Sequence, residues 1–184
     1  MPATTLALAN WNSFFTICGS SAGALTGLMF VTIALRQEIR SPDAGRVMRT
    51  FATPTIVHFT SVLILSAVQS MPGLSRTGFG VSLIAIASSL LLYMIWLFRK
   101  AREQDVYEPD LEDWVWHFCL PSLAYLGIVV GGAASWSSPN VAYYVAGACM
   151  LTLLVVGIHN AWDSAVWTIT RRSTASGEPS QPED

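Results

Sequence analysis

Five stretches of this chain, at roughly residues 11–35, 51–71, 79–98, 115–135 and 141–169, are each apolar over about the length of a membrane crossing. A helix needs about 20 such residues to traverse the hydrocarbon of a bilayer, and at about 1.5 Å per residue little slack remains. The breaks between them, "RQEIRSPDAGRVMRT", "PGLSRTG", "RKAREQDVYEPDLED" and "SSPN", concentrate charge, proline and glycine, the residues that end helices and make turns. Only 12% of the 184 residues are charged, against about 25% in soluble domains. A water-exposed surface cannot be built from so few charges, so lipid is the expected solvent. The spacing therefore predicts an all-α polytopic membrane helix bundle of five transmembrane helices. It forms a single bundle over residues 1–172, with a disordered polar tail over 173–184.

Basic residues give that bundle a direction. Arg36, Arg40, Arg46 and Arg49 follow the first span, Arg99, Lys100 and Arg102 the third, and Arg171 and Arg172 the fifth, while Arg76 alone falls on the other side. Lys and Arg accumulate on the cytoplasmic side, so the N-terminus is expected outside and the C-terminus and tail inside. Trp11, Tyr143 and Tyr144 read as outer interface anchors, and Trp96, Trp114, Trp116 and Trp167 as inner ones. The opening "MPATTLALAN" lacks the basic residues and apolar core of a cleavable signal. A net charge of −2 with no basic patch argues against a nucleic-acid partner. Cys18, Cys119 and Cys149 lie singly in apolar runs and read as small core residues.

Helical arithmetic sorts the spans. Gly19, Gly23 and Gly27 repeat every four residues in the first, with Asn12, Thr16, Ser20, Thr26 and Ala34 on the same side. Gly127 and Gly131 repeat in the fourth, and Gly157, Ala161 and Ala165 in the fifth. Small residues let helix backbones approach in a medium with no hydrophobic drive between them. The lipid bilayer, a second copy or another membrane protein are the expected partners. The third span carries little beyond serines and is expected at the periphery, whereas the fifth suits lipid on neither side and is expected at the centre. Pro121 is expected to kink the fourth.

The polar exceptions carry the candidate chemistry. The second span has a stripe of Thr55, His58, Ser66 and Gln69. The fifth has His159, Asn160 and Asp163, the last being the single acidic residue inside any expected span. His159 and Asp163, four residues apart, share a helix face and can pair. Measured by helical rise, Asp163 lies about 12 Å from Arg171, His159 about 18 Å, and His58 about 13 Å from Arg49. The cluster thus belongs to the inner half, with His117 at the membrane edge. Ionisable groups within spans mark ion and proton routes, and histidine titrates near neutrality. The leading reading is ion or proton movement through His58, His159, Asn160, Asp163 and Gln69. An accessory or scaffold role in a larger complex is the alternative, with Asp163 as an interfacial cap. Haem or metal binding through His58 and His159 is a third. No HExxH, GxSxG, SxxK or phosphate-cradling loop is present, so catalytic residues are not expected, nor is a cofactor. The acidic segment Glu103, Asp105, Glu108, Asp110, Glu112 and Asp113 lacks the glycine of an EF-hand and reads as a solvated or docking loop.

The first span, "WNSFFTICGSSAGALTGLMFVTIAL", resembles the opening of a group of small uncharacterised bacterial multi-span proteins. These share a W-x-x-F-F start, a small-residue run and an L-T-G-L-x-F-V core. The resemblance covers roughly residues 11 to 35. It implies a helical bundle in the bacterial cytoplasmic (inner) membrane, and no activity comes with it.

Overall fold

The computed structural model describes residues 3–36, 42–102 and 111–175. They form α1 (Ala3–Arg36), α2 (Pro42–Gln69), α3 (Arg76–Arg102), a short α4 (Leu111–Trp114), a π-helical turn (Val115–Cys119), α5 (Leu120–Ala134) and α6 (Pro139–Ala175). No strand occurs among the described residues. The chain is an all-helical bundle.

Local chemistry sets the joints. Gly73 closes α2 with φ +72, a left-handed conformation that a side chain resists. Ser75 opens α3, its hydroxyl accepting the Gly78 amide at 3.0 Å, the geometry of an N-cap. Pro139 starts α6, where a missing amide proton costs nothing. The π turn has a cause two residues beyond it. Pro121 cannot donate to the carbonyl four residues back, and its ring crowds that carbonyl. The helix widens there, and the Leu120 amide reaches back five residues to the Val115 oxygen.

Among the described residues, four helices are long and apolar enough to cross a membrane: Trp11–Ala34, Arg76–Lys100, Val115–Ala134 and Pro139–Val166. A shorter apolar segment, Thr53–Gln69, lies in α2. Its inward face is polar, with Thr55, His58, Ser61, Ser66 and Gln69 all buried. The outward faces are apolar. Ile17, Leu28, Leu92, Ile95, Leu123 and Val155 all lie more than half exposed or close to it, an exterior suited to lipid rather than water. α2 also starts at Pro42, about two and a half turns before the expected span, and runs through Arg46 and Arg49, and α6 runs to Ala175, into the expected tail. Arg40, the side chains of Arg36, Arg46, Arg49, Trp167, Arg171 and Arg172, the acidic residues 103–110 and the tail from 176 onward lie outside the described residues.

α6 is the central helix, packed on α1, α2 and α5, and α3 stands at the edge against α5. Both places agree with the polarity of the two spans. Among the glycines, Gly19 sits under Ser66 of α2, Gly127 under Cys149, Gly131 against the α6 backbone at Ala142 and Ala146, and Gly157 against the Phe59 ring. Gly23 only touches Leu63, and Gly27 faces open space. Ala161 and Ala165 are half-buried. A closer crossing joins α3 to α5, where a Cβ on either Gly80 or Gly132 would lie 2.9 Å from the other's carbonyl oxygen. One end of the bundle is aromatic: Trp11 stacks on Tyr143, and Phe79 meets Tyr143 edge-on at 4.7 Å. Tyr143 is therefore a core residue rather than an interface anchor, while Tyr144 is exposed. At the other end Lys100 lies 4.9 Å over Trp96.

Candidate functional site

The polar residues of the interior fall into three settings along the bundle. Near the Lys100 end, His159 of α6 stacks on Trp116 of the π turn, ring centres 3.8 Å apart and planes 5° from parallel. The π turn makes this contact possible by carrying Trp116 round to face α6. His159 Nδ1 lies 3.0 Å from an Asp163 carboxylate oxygen and Nε2 lies 3.8 Å from Glu112. The Asp163 contact is an ion-pair approach off the line of a hydrogen bond, since Nδ1 has no hydrogen-bond partner. His159 is one-quarter exposed and Asp163 about half, so this setting is a partly open mouth. The expected i, i+4 pair is present.

The second setting is closed. His58 of α2 is fully buried, and its Nδ1 lies 2.8 Å from the Tyr125 hydroxyl of α5. The same hydroxyl lies 3.0 Å from Ser61 Oγ, and Ser61 donates to the His58 carbonyl at 2.7 Å. His58 Nε2 has no hydrogen-bond partner. His117, buried in the π turn, is close enough that charge on one ring would repel charge on the other. Asn160 is buried with both ends of its amide unpaired. It lies three residues, about 4.5 Å along α6, from Gly157, which packs on Phe59 beside His58. Tyr125 stands ten residues into a span that begins at Val115, about 15 Å along the axis and so near its middle.

The third setting belongs to the Trp11 end. Gln69 donates to Ser82 at 3.1 Å, and its carbonyl oxygen and the Ser66 hydroxyl are buried without partners. Fully buried Val62 and Leu65 lie between this pair and His58 along α2.

The structure thus divides the expected His58–His159–Asp163 group. His159 and Asp163 stay together and gain Trp116 and Glu112, while His58 joins Tyr125 and Ser61 deeper in. Gln69 sits apart from both. His117 lies two residues into the span that begins at Val115, and its side chain is buried in the bundle. Tyr125 was missed, although a single tyrosine in "LPSLAYLGIVV" is itself a signal, because a buried tyrosine in lipid needs a partner for its proton. No group of three or more His, Cys, Asp or Glu suited to a metal ion occurs among the described residues. Outside these settings, Thr16, Thr26, Thr32 and Ser89 each bond the carbonyl four residues back. Comparison with protein families, curated proteins and solved structures finds no match to this chain.

Proposed function

We propose that this membrane protein handles protons, taking them up from the Lys100 end at buried His58. The supporting observation is the fully buried imidazole, bonded to Tyr125 on one nitrogen and without a partner on the other. An imidazole nitrogen that carries no hydrogen bond can accept a proton, and an ionisable group held inside a span marks a functional site. Glu112, His159 and Asp163 form the mouth through which protons arrive. Beyond His58, Val62 and Leu65 close the direct way to Ser66 and Gln69. Passage across the bilayer therefore needs a second arrangement of the bundle, as alternating access does. The positive-inside pattern supports the Lys100 end as the cytoplasmic one.

The test is proton flux in liposomes containing purified protein, with wild type beside His58→Gln and Asp163→Asn. Wild-type flux is expected above the protein-free background. His58→Gln, folded by gel filtration and circular dichroism, is expected to return it to background, and Asp163→Asn to slow it. Flux that survives His58→Gln overturns the reading. A wild type silent under every gradient favours the accessory role instead, in which the outward small residues of α1 receive a partner's helix.

A further inference from the structure

Three contacts join Ser61, Tyr125 and His58, and three protons are available to fill them. Ser61 Oγ lies 2.7 Å from the His58 carbonyl oxygen, which can only accept, so the serine proton is committed there. Ser61 Oγ must then accept at its 3.0 Å contact, and the donor is the Tyr125 hydroxyl. That spends the single tyrosine proton. The 2.8 Å contact between Tyr125 and His58 Nδ1 is left to be filled by a proton on the imidazole. Reversing the chain, with serine donating to tyrosine and tyrosine to histidine, would leave the shortest of the three contacts between two acceptors. That arrangement is repulsive in an interior where an unmade hydrogen bond is costly.

We propose that Ser61, acting through Tyr125, holds neutral His58 in the Nδ1–H tautomer, so that Nε2 is a bare acceptor facing the interior. Ser61 and Tyr125 are positioning residues, and Nε2 is the atom that receives. The same ordering fixes histidine tautomers beside metals and in catalytic sites, where the hydrogen bond on one ring nitrogen decides the state of the other. Protonation adds H⁺ at Nε2 and leaves the Nδ1–H bond to Tyr125 in place, giving an imidazolium. Its titratable neighbours are Tyr125 and His117, with Tyr93 of α3 close behind Tyr125. Glu112, His159 and Asp163 lie at the mouth. The chain of donors ends on a backbone carbonyl, which has no proton to pass on. A proton taken up at Nε2 therefore leaves by the side it entered until the bundle rearranges. Only the source of that proton rests on the proton-handling reading; the tautomer stands on the geometry of three contacts.

The experiment is nitrogen-15 NMR of histidine-labelled, full-length protein in lipid bilayers, above neutral pH, with His58 assigned by the signals lost in His58→Gln. Wild type is expected to show a protonated Nδ1 and an unprotonated Nε2. Ser61→Ala frees the tyrosine proton for Nδ1, so the two nitrogens are expected to exchange states. Ser61→Thr, which keeps the hydroxyl, is expected to behave as wild type and shows that the fold tolerates the site. A wild-type ring protonated at Nε2, or at both nitrogens, overturns the proposal, and so does a Ser61→Ala ring that keeps its Nδ1 proton. Flux plays no part in this readout, so a silent liposome assay and a wrong tautomer are separate failures.

Discussion

A methyl group added at Gly157 would overlap the ring of Phe59, and one added at Gly27 would meet nothing within 4 Å. The two glycines read alike in sequence, each belonging to a four-residue repeat of small residues, yet one is a packing site and the other is not. Overpacking a tight contact costs about 1–3 kcal/mol. Gly157→Ala is therefore expected to lower the thermal unfolding midpoint in detergent, whereas Gly27→Ala shifts stability by less than about 0.5 kcal/mol. Equal effects would mean that the α2–α6 contact at Phe59 is not formed. Single residues also limit what sequence can reveal of the site. His159 and Asp163 were legible as a pair because four residues along one helix bring side chains together whatever the fold. Tyr125 and His58, 67 positions apart, meet only because α2 and α5 pack, and no periodicity within either helix reports that.

At the level of elements, the spans were legible because lipid imposes one length and one polarity on every crossing. Their facing was legible only in part. On α1 the core stripe runs through Phe15, Cys18, Ala22 and Met29, while Asn12, Thr16, Ser20 and Ala34, expected on a packing face, lie exposed. A threonine or serine hydroxyl that bonds its own helix is tolerated by lipid, so polarity is a weak guide to direction here. The π turn was not legible beyond the kink at Pro121, yet it decides which way the turn before the proline points. Deleting exposed Cys119 would close it to an α-helix and rotate Trp116 and His117 by up to about 100° relative to Tyr125. The stack of Trp116 on His159 is then expected to be lost. A stacked ring shields an indole from its surroundings, so the component of the tryptophan emission that Trp116→Phe removes is expected to change in wavelength in the deletion. An unchanged Trp116 component would mean that the π turn does not hold Trp116 in place.

For the whole molecule, α3 carries its basic cluster at one end, and the loop before it opens at the other. With the native cysteines replaced by alanine, Ser75→Cys is expected to react with a membrane-impermeant maleimide on intact cells. Lys100→Cys is expected to react only after permeabilisation. The reverse pattern would invert the orientation, and labelling of both from one side would remove α3 as a crossing. Depth has an electrical side as well. In a bilayer-spanning bundle, His58 beside Tyr125 sits about halfway down the membrane potential, which is worth about 2.3 kcal/mol per unit charge for each 100 mV across the full thickness. Half of that, about 1.1 kcal/mol, is about a sevenfold change in proton occupancy per 100 mV. In an energised cell the ring would answer to voltage and acidity together, and the liposome assay would show this as an apparent proton affinity that moves when a potential is imposed.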